Sequence, residues 1–374
     1  MAILNEEDFI KRLKTFNELS FKPGERTNPE VMDTHDLRYL KSGDFCANLH
    51  IHSQYSDGIM TIPELRLRTK EIPNMLVALT DHDTLDGVKE AYKLCNDIDI
   101  CLGIEISTVA IRFPKQPKPL SIHLLVYCVD PFDKDLNDFL DEKKYLKLQL
   151  AKKTLKGLNE ALPEYNFTLE EAAKCHPLIT KGQDEVAYPF KKYTTAKIMQ
   201  DCYFPNADFS YEEPIYKYKY LFFNDEAYYL SYKKALAKFT NTQLPLIPDE
   251  VFKKLETARE IYSQAHPQIG KMLKEFSSFE STVKFISSLN SGIMSIAHPA
   301  RVKAYRAEFY NFLFNNFKKY GNAKALCYEK YYQSYEGSYN LLWCDIINRA
   351  ADGLIPTGGL DSHGKYITYR SSHY

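Results

Sequence analysis

FCANLHIHSQYSDG, residues Phe45–Gly58, is the stretch from which the fold is read. Its first seven residues form an apolar run in which Leu49 and Ile51 alternate with His50 and His52. Residues two apart on a strand project to the same face, so one face is apolar and the other carries two imidazoles. A polar turn follows, with Asp57 between Ser56 and Gly58. Ligands set at or just past the end of an apolar strand are the habit of barrel enzymes. Taken alone, the histidines read as satisfied core or surface residues and Asp57 as a turn former. The weight lies in what recurs further along.

The same arrangement returns several times. Thr80, Asp81, His82 and Asp83 end a run of Val, Ala and Leu. An N-cap for the next helix would explain one of these aspartates but not His82. Glu105 sits inside the run LGIEIS, where an unpaired buried carboxylate would cost on the order of several kcal/mol. His123 interrupts the run SIHLL, His298 stands in AHP, and Asp361 and His363 follow the last apolar run, again two apart. Six of the ten histidines thus fall in these segments. Imidazole and carboxylate together are the ligand set of Zn, Mn, Fe and similar divalent ions.

Seven β-leaning runs support one architecture: Phe45–Ile51, Met75–Thr80, Ile100–Val109, Ser121–Val129, Gly292–Ala297, Ala325–Tyr331 and Leu354–Leu360. Helical stretches lie between several of them: a capping-box pattern at Thr61 and Glu64 opening a helix through Lys70, then Val88–Asn96, Ser281–Leu289 and Tyr339–Ala351. Strand–helix alternation implies a mainly parallel α/β sheet with covered faces, and ligands after many strands favour a closed or nearly closed barrel. Residues 131–280 break the rhythm with a long charged helix, Asp133–Ala161, a stretch rich in Tyr and Lys, and charged helices around 248–276. The expected organisation is a lead-in over 1–43, a barrel over 44–130 and 281–374, and a mostly helical insertion over 131–280.

Composition narrows the partners. A chain of 374 residues with 44% hydrophobic residues can bury a sizeable core, and a net charge of -1 argues against bulk nucleic-acid binding. The eight cysteines include no CxxC pair, and Cys46, Cys101, Cys128 and Cys327 fall within expected strands. They read as reduced thiols in a cytoplasmic protein. No signal peptide or membrane span is expected.

With those residues in order, the chain resembles the polymerase and histidinol phosphatase (PHP) superfamily. The resemblance rests on His50 and His52, the turn Ser56, Asp57 and Gly58, the TDHD of Thr80–Asp83, Glu105, His123, Ala297–Pro299, and Asp361 with His363. It covers about 44–130 and 285–364. It implies a distorted, TIM-like (β/α)7 barrel holding two or three divalent ions, Zn, Mn or Fe. His50, His52, Glu105 and Asp361 would hold the first. Glu105 would bridge to a second held by His123 and His298, and Asp57, His82 and His363 would hold a third. Asp81 and Asp83 would orient imidazoles from behind.

Within the superfamily the chain resembles the stand-alone phosphoesterases acting on nucleotides or short RNA. Ala297–Arg301 is similar to their AHPGR, which implies that Arg301 contacts phosphate. Their RPH segment is altered here, and Lys192 takes the place of its Arg as a point charge without the bidentate fork. The implied reaction is hydrolysis of phosphate monoesters, of nucleotide bisphosphate or short oligonucleotide type, by a hydroxide bridging two metals. Glu105 would be the bridge, and Asp361 would accept a hydrogen bond from that hydroxide and aim it. Two alternatives stay open: a histidinol-phosphate phosphatase with the same metal site, and a metal-binding interaction module without activity. Degenerate modules lose ligands, whereas all nine positions are filled here. Tyr332 and Tyr335 are the better-placed aromatic residues for stacking on a base. His35, His176, His266, His373 and Trp343 are read as loop, surface or packing residues.

Overall fold

The structure is a computed structural model. It describes residues 3–20, 41–42, 45–72, 75–111, 120–175, 194, 197–198, 249–264, 269–289, 292–302, 307–322, 325–332 and 345–364. Lys192, Tyr335, Trp343, His35, His176, His266, His373 and the Tyr- and Lys-rich stretch lie outside the described residues, as do the side chains of Arg301 and Tyr332.

In chain order the elements are α1 (Glu6–Ser20), β1 (Lys41–Ser42), β2 (Phe45–Ile51), α2 (Ile62–Lys70), β3 (Met75–Leu79), α3 (Asp86–Leu94), β4 (Ile100–Ile111), β5 (Leu120–Tyr127) and α4 (Lys134–Ala161). They continue with α5 (Leu169–Cys175), α6 (Asp249–Gln264), α7 (Ile269–Phe276), α8 (Phe279–Ser288), β6 (Ile293–Ile296), α9 (Ala307–Tyr320), β7 (Leu326–Tyr332) and β8 (Ile355–Gly359). All seven expected strands are present as β2 to β8. The capping box opens α2: Thr61 Oγ1 accepts the Glu64 N–H at 3.3 Å, and Glu64 Oε2 accepts the Thr61 N–H at 3.0 Å. Residues 345–350 are helical, inside the expected Tyr339–Ala351.

The strands form one sheet in sequence order, β1 to β8. It curls until its ends meet: the His52 N–H donates to the Ser362 carbonyl at 2.9 Å and the Ser362 N–H to the His50 carbonyl at 3.1 Å. Asn48 ties the same seam, accepting the Leu360 N–H at 3.0 Å and donating to Ser362 Oγ at 3.1 Å. The result is a nearly closed barrel.

Besides the two-residue β1, which pairs antiparallel with β2, one of the seven expected strands departs from the parallel expectation. β5 runs antiparallel to both β4 and β6, while β2–β3, β3–β4, β6–β7 and β7–β8 are parallel. β4 ends at Ile111 and β5 starts at Leu120. That gap is shorter than the dozen or so residues a parallel crossover needs, so the chain must turn back as a hairpin.

Two apolar clusters hold the barrel. In one, strand residues such as Val77, Leu102, Leu124 and Ile296 pack with Leu65 of α2, Val88 of α3, Val283 of α8 and Phe314 of α9. In the other, Leu49, Ala78, Leu125 and Cys327 gather with Phe9 and Leu13 of α1. The lead-in helix is therefore part of the core, with Phe9 and Tyr127 rings 5.1 Å apart. The strict alternation expected in β2 breaks at His50: Leu49 joins the cluster with α1 and Ile51 the other, across a register shift between Asn48 and Ile51. Bulges of this kind re-aim side chains beside functional sites.

The chain divides into two compact units, one of Met1–Asp141 with Lys274–Tyr374 and one of Glu142–Leu273. The second is narrower than the insertion expected over 131–280. The physical reason lies in α4 and α8, whose Leu136, Phe139, Leu140 and Phe279 belong to the barrel core. The described residues of the second unit are helical or irregular. No helix among the described residues is long and apolar enough to cross a membrane.

Candidate metal centre

The expected ligands converge on one end of the barrel. His50 and His52 come from β2, and Asp57 from the turn behind it. His82 follows β3, Glu105 lies in β4, His298 follows β6, and Asp361 and His363 follow β8. His123 lies in the first half of β5. Because β5 is reversed, its first half is at the same end as the last residues of its neighbours; Ser107 pairs with His123.

Glu105 is fully buried and stands at the middle. Its Oε2 lies 2.9 Å from His50 Nε2, 3.2 Å from His52 Nε2 and 3.2 Å from His82 Nδ1. Its Oε1 lies 2.9 Å from His123 Nδ1 and 3.1 Å from His298 Nε2. Asp361 Oδ1 is 3.1 Å from His52 Nε2 and 3.4 Å from His50 Nε2. Asp57 Oδ2 is 2.9 Å from His363 Nε2 and 3.7 Å from His82 Nε2.

Three groups of donors result: His50, His52, Glu105 and Asp361; His52, Asp57, His82 and His363; and His82, Glu105 and His123. The first is the set that the resemblance implied. The second and third add His52 and His82 to the implied sets, and His298 joins through its contact with Glu105. Lys192 and the Arg301 side chain are not placed; the Arg301 backbone closes a 3-10 turn, Pro299–Arg301, directly after His298.

A divalent ion fits this donor set. Two donors about 2.1 Å from a shared ion, at angles between tetrahedral and octahedral, stand roughly 3.0–3.4 Å apart. The contacts within the first group run from 2.9 to 3.4 Å. The electrostatics agree. Burial pushes the carboxyl of Glu105 up, but His50, His82 and His123 outweigh it and hold it well below the usual range. Burial likewise opposes, and His50 with His52 and His363 overcomes it, to hold Asp361 well below. Burial lowers His50 and His52, yet the surrounding carboxylates raise both, His52 to about 10. Protons on these rings thus balance charge that a bound cation would otherwise balance. Burial dominates at His298 and lowers it, which leaves a neutral imidazole.

The backbone is strained here. Asp83, His298 and Asp361 have positive φ, of 49°, 26° and 50°, among only five such non-glycine residues described. Residues held this way cluster at active sites.

Two supporting carboxylates differ from expectation or escaped it. Asp81 does not bind an imidazole. It accepts the Ser53 N–H and hydroxyl, each at 2.7 Å, and the Ser56 hydroxyl at 2.6 Å, and so clamps the turn that carries Asp57. Glu329, in β7, was missed. It is fully buried and lies 3.0 Å from His50 Nδ1. Its signal in the sequence is the same as that of Glu105, a carboxylate inside an apolar run.

A buried cluster of histidine and carboxylate at one end of a seven-strand barrel defines a metal-binding α/β protein, and its donor set supports a metal-dependent hydrolase. The chain belongs to the PHP domain family, which matches residues 48–278. It is 34% identical over 141 residues to an error-prone DNA polymerase of Mycobacterium tuberculosis (strain ATCC 25618 / H37Rv), covering 36% of this chain. The match spans only 12% of that polymerase. A 5'-3' exoribonuclease of Haemophilus influenzae is 41% identical over 63 residues, 16% of this chain and 23% of the exoribonuclease. Among solved structures, an amidohydrolase from Chromobacterium violaceum aligns with TM-score 0.48 and 19% identity, over 87% of this chain and 91% of that one.

Proposed function

We propose that the chain is a phosphoric ester hydrolase that acts on phosphate monoesters of the nucleotide bisphosphate or short oligonucleotide type. The observation that carries this reading is the division of Glu105, whose two oxygens face different sets of histidines. Divalent ions would be held by His50, His52, Glu105 and Asp361; by Glu105, His123 and His298; and by Asp57, His82 and His363. When bound they supply acidity to water and neutralise charge on a phosphoryl group.

The chain's own residues do the rest. Glu105 fixes the spacing of the two sets. Asp361, held ionised in a left-handed backbone, would accept a hydrogen bond from the attacking hydroxide and aim it. Arg301, on the turn after His298, supplies a planar fork for two non-bridging phosphate oxygens, and Lys192 a point charge. Ser56 and Ser362 are engaged with Asp81 and Asn48, which supports direct attack by water over a covalent step.

The likeness to the exoribonuclease favours a substrate with a nucleotide end. The likeness to error-prone DNA polymerases favours a second reading, an interaction module, against which the complete set of nine donors weighs. Phosphate release should be measured with added Mn, Zn or Fe on p-nitrophenyl phosphate, histidinol phosphate, nucleoside 3′,5′-bisphosphates and a 5′-phosphorylated short RNA. The Glu105→Gln protein is the blank. Metal-dependent turnover absent from the blank supports the hydrolase, and preference for histidinol phosphate would replace the nucleotide reading. A loaded, folded protein inactive on all four would support the module.

A further inference from the structure

His50 and His298 come from different strands, yet their rings stack with centroids 5.6 Å apart and planes 18° from parallel. At one end of the stack, their Nε2 atoms face the two oxygens of Glu105, at 2.9 and 3.1 Å. At the other end stands a second carboxylate. Glu329 Oε1 lies 3.0 Å from His50 Nδ1, and Glu329 Oε2 accepts the backbone N–H of His298 at 2.6 Å. Glu329 is fully buried and belongs to β7, beside a register shift between Glu329 and Tyr331. Gly359 of β8 presses on the same spot: a Cβ there would meet His50 Cβ at 2.3 Å and Glu329 Oε1 at 2.7 Å. Only a glycine lets β8 pass so close to His50 and Glu329.

We infer that Glu329 is a positioning residue that aligns His50 and His298 as a pair toward Glu105. A carboxylate accepts hydrogen bonds and donates none when ionised. With an ion bound, His50 facing Oε1 would keep its proton on Nδ1, leaving the lone pair of Nε2 for the centre. Facing Oε2, the His298 backbone is held in its strained conformation, at φ 26°. One side chain therefore sets a ligand of the first ion and a ligand of the second. A glutamine could accept from only one of the two donors, since its amide nitrogen would meet the other N–H.

This rests on the metal-centre reading above, and the test separates the two. Mn and Zn binding to the wild-type, Glu329→Gln and Glu329→Ala proteins would be titrated against a competing chelator. The fold of each metal-free protein would be checked by circular dichroism. The Gln protein should fold and bind its tightest ion on the order of 10–100-fold more weakly, the usual cost of losing an outer partner of a ligand. The Ala protein should lose more. Affinity within about threefold of wild type in a folded Gln protein would overturn the role of Glu329 and leave the metal centre standing. A wild-type protein that binds neither ion would overturn both. Should the variants not fold, side-chain 15N–1H correlation spectra of the zinc-loaded wild type decide. His50 protonated on Nδ1 is the expected result, and His50 protonated on Nε2 overturns the proposal.

Discussion

His363 Nε2 stands 2.9 Å from Asp57 Oδ2, although 306 residues separate them. The contact exists because β8 closes against β2 and carries its following loop to the Ser56–Gly58 turn, where the Ile59 N–H also donates to the His363 carbonyl at 3.0 Å. Closure of the barrel and completion of one donor group are thus the same event.

Asp57→Asn removes the carboxylate of that group and leaves His50, His52, Glu105 and Asp361 untouched. The protein should bind one metal equivalent fewer than its parent, with the remaining ions held as before. Elemental analysis after dialysis against Mn or Zn measures it. Unchanged stoichiometry would remove Asp57 from the ligands.

Asp81 accepts three hydrogen bonds from Ser53 and Ser56 while fully buried. Asp81→Ala should therefore cost about 2–4 kcal/mol in urea unfolding, since buried donors are left unmet. Gly87, in the first turn of α3, has no room for a Cβ, which would lie 2.2 Å from Asp81 Oδ2. Gly87→Ala should displace the same clamp and weaken metal binding at Asp57.

The metal-free protein should have its own pH signature. The His52 ring is lowered by burial but raised to about 10 by Asp57, Asp361 and Glu105. Its stabilising contribution is complete below the unfolded value of about 6.5 and is lost as pH rises through the folded value. Glu105 and Asp361, held well below the usual range, contribute above the unfolded value of about 4 and lose that contribution as pH falls. Urea midpoints in EDTA should decline from neutral pH toward pH 10. With saturating Mn or Zn the stabilisation should grow with pH, because ions displace protons. A metal-free midpoint that climbs between pH 7 and 9 would contradict the assignment.

Arg301→Ala tests the phosphate contact. Loss of a charge-assisted pair should raise KM roughly 10–100-fold and weaken phosphate inhibition in parallel, with kcat less affected. If steady-state kinetics show both constants unmoved, Arg301 does not touch phosphate.

Much of this was legible along the chain. The seven strands are short apolar runs, and burying them needs no knowledge of their neighbours. His50, His52, Glu105 and Asp361 stood out because ionisable groups in or beside such runs need a charge partner. Glu329 carried the same signal inside Ala325–Tyr331 but has no metal-like neighbour in sequence; its partners, His50 and His298, come from other strands.

The sequence by itself determined which segments become strands and which ionisable residues ride on them, because apolar periodicity and local turn chemistry act over a few residues. Only the tertiary structure decided the reversal of β5, the register shift that turns Leu49 and Ile51 into different cores, the clamp of Asp81 on Ser53, and the placing of Glu329 behind His50. Each of these depends on pairing between strands and on the closing of β8 against β2. Those are contacts between residues distant in the chain, and their geometry is set by the whole barrel rather than by any one of its runs.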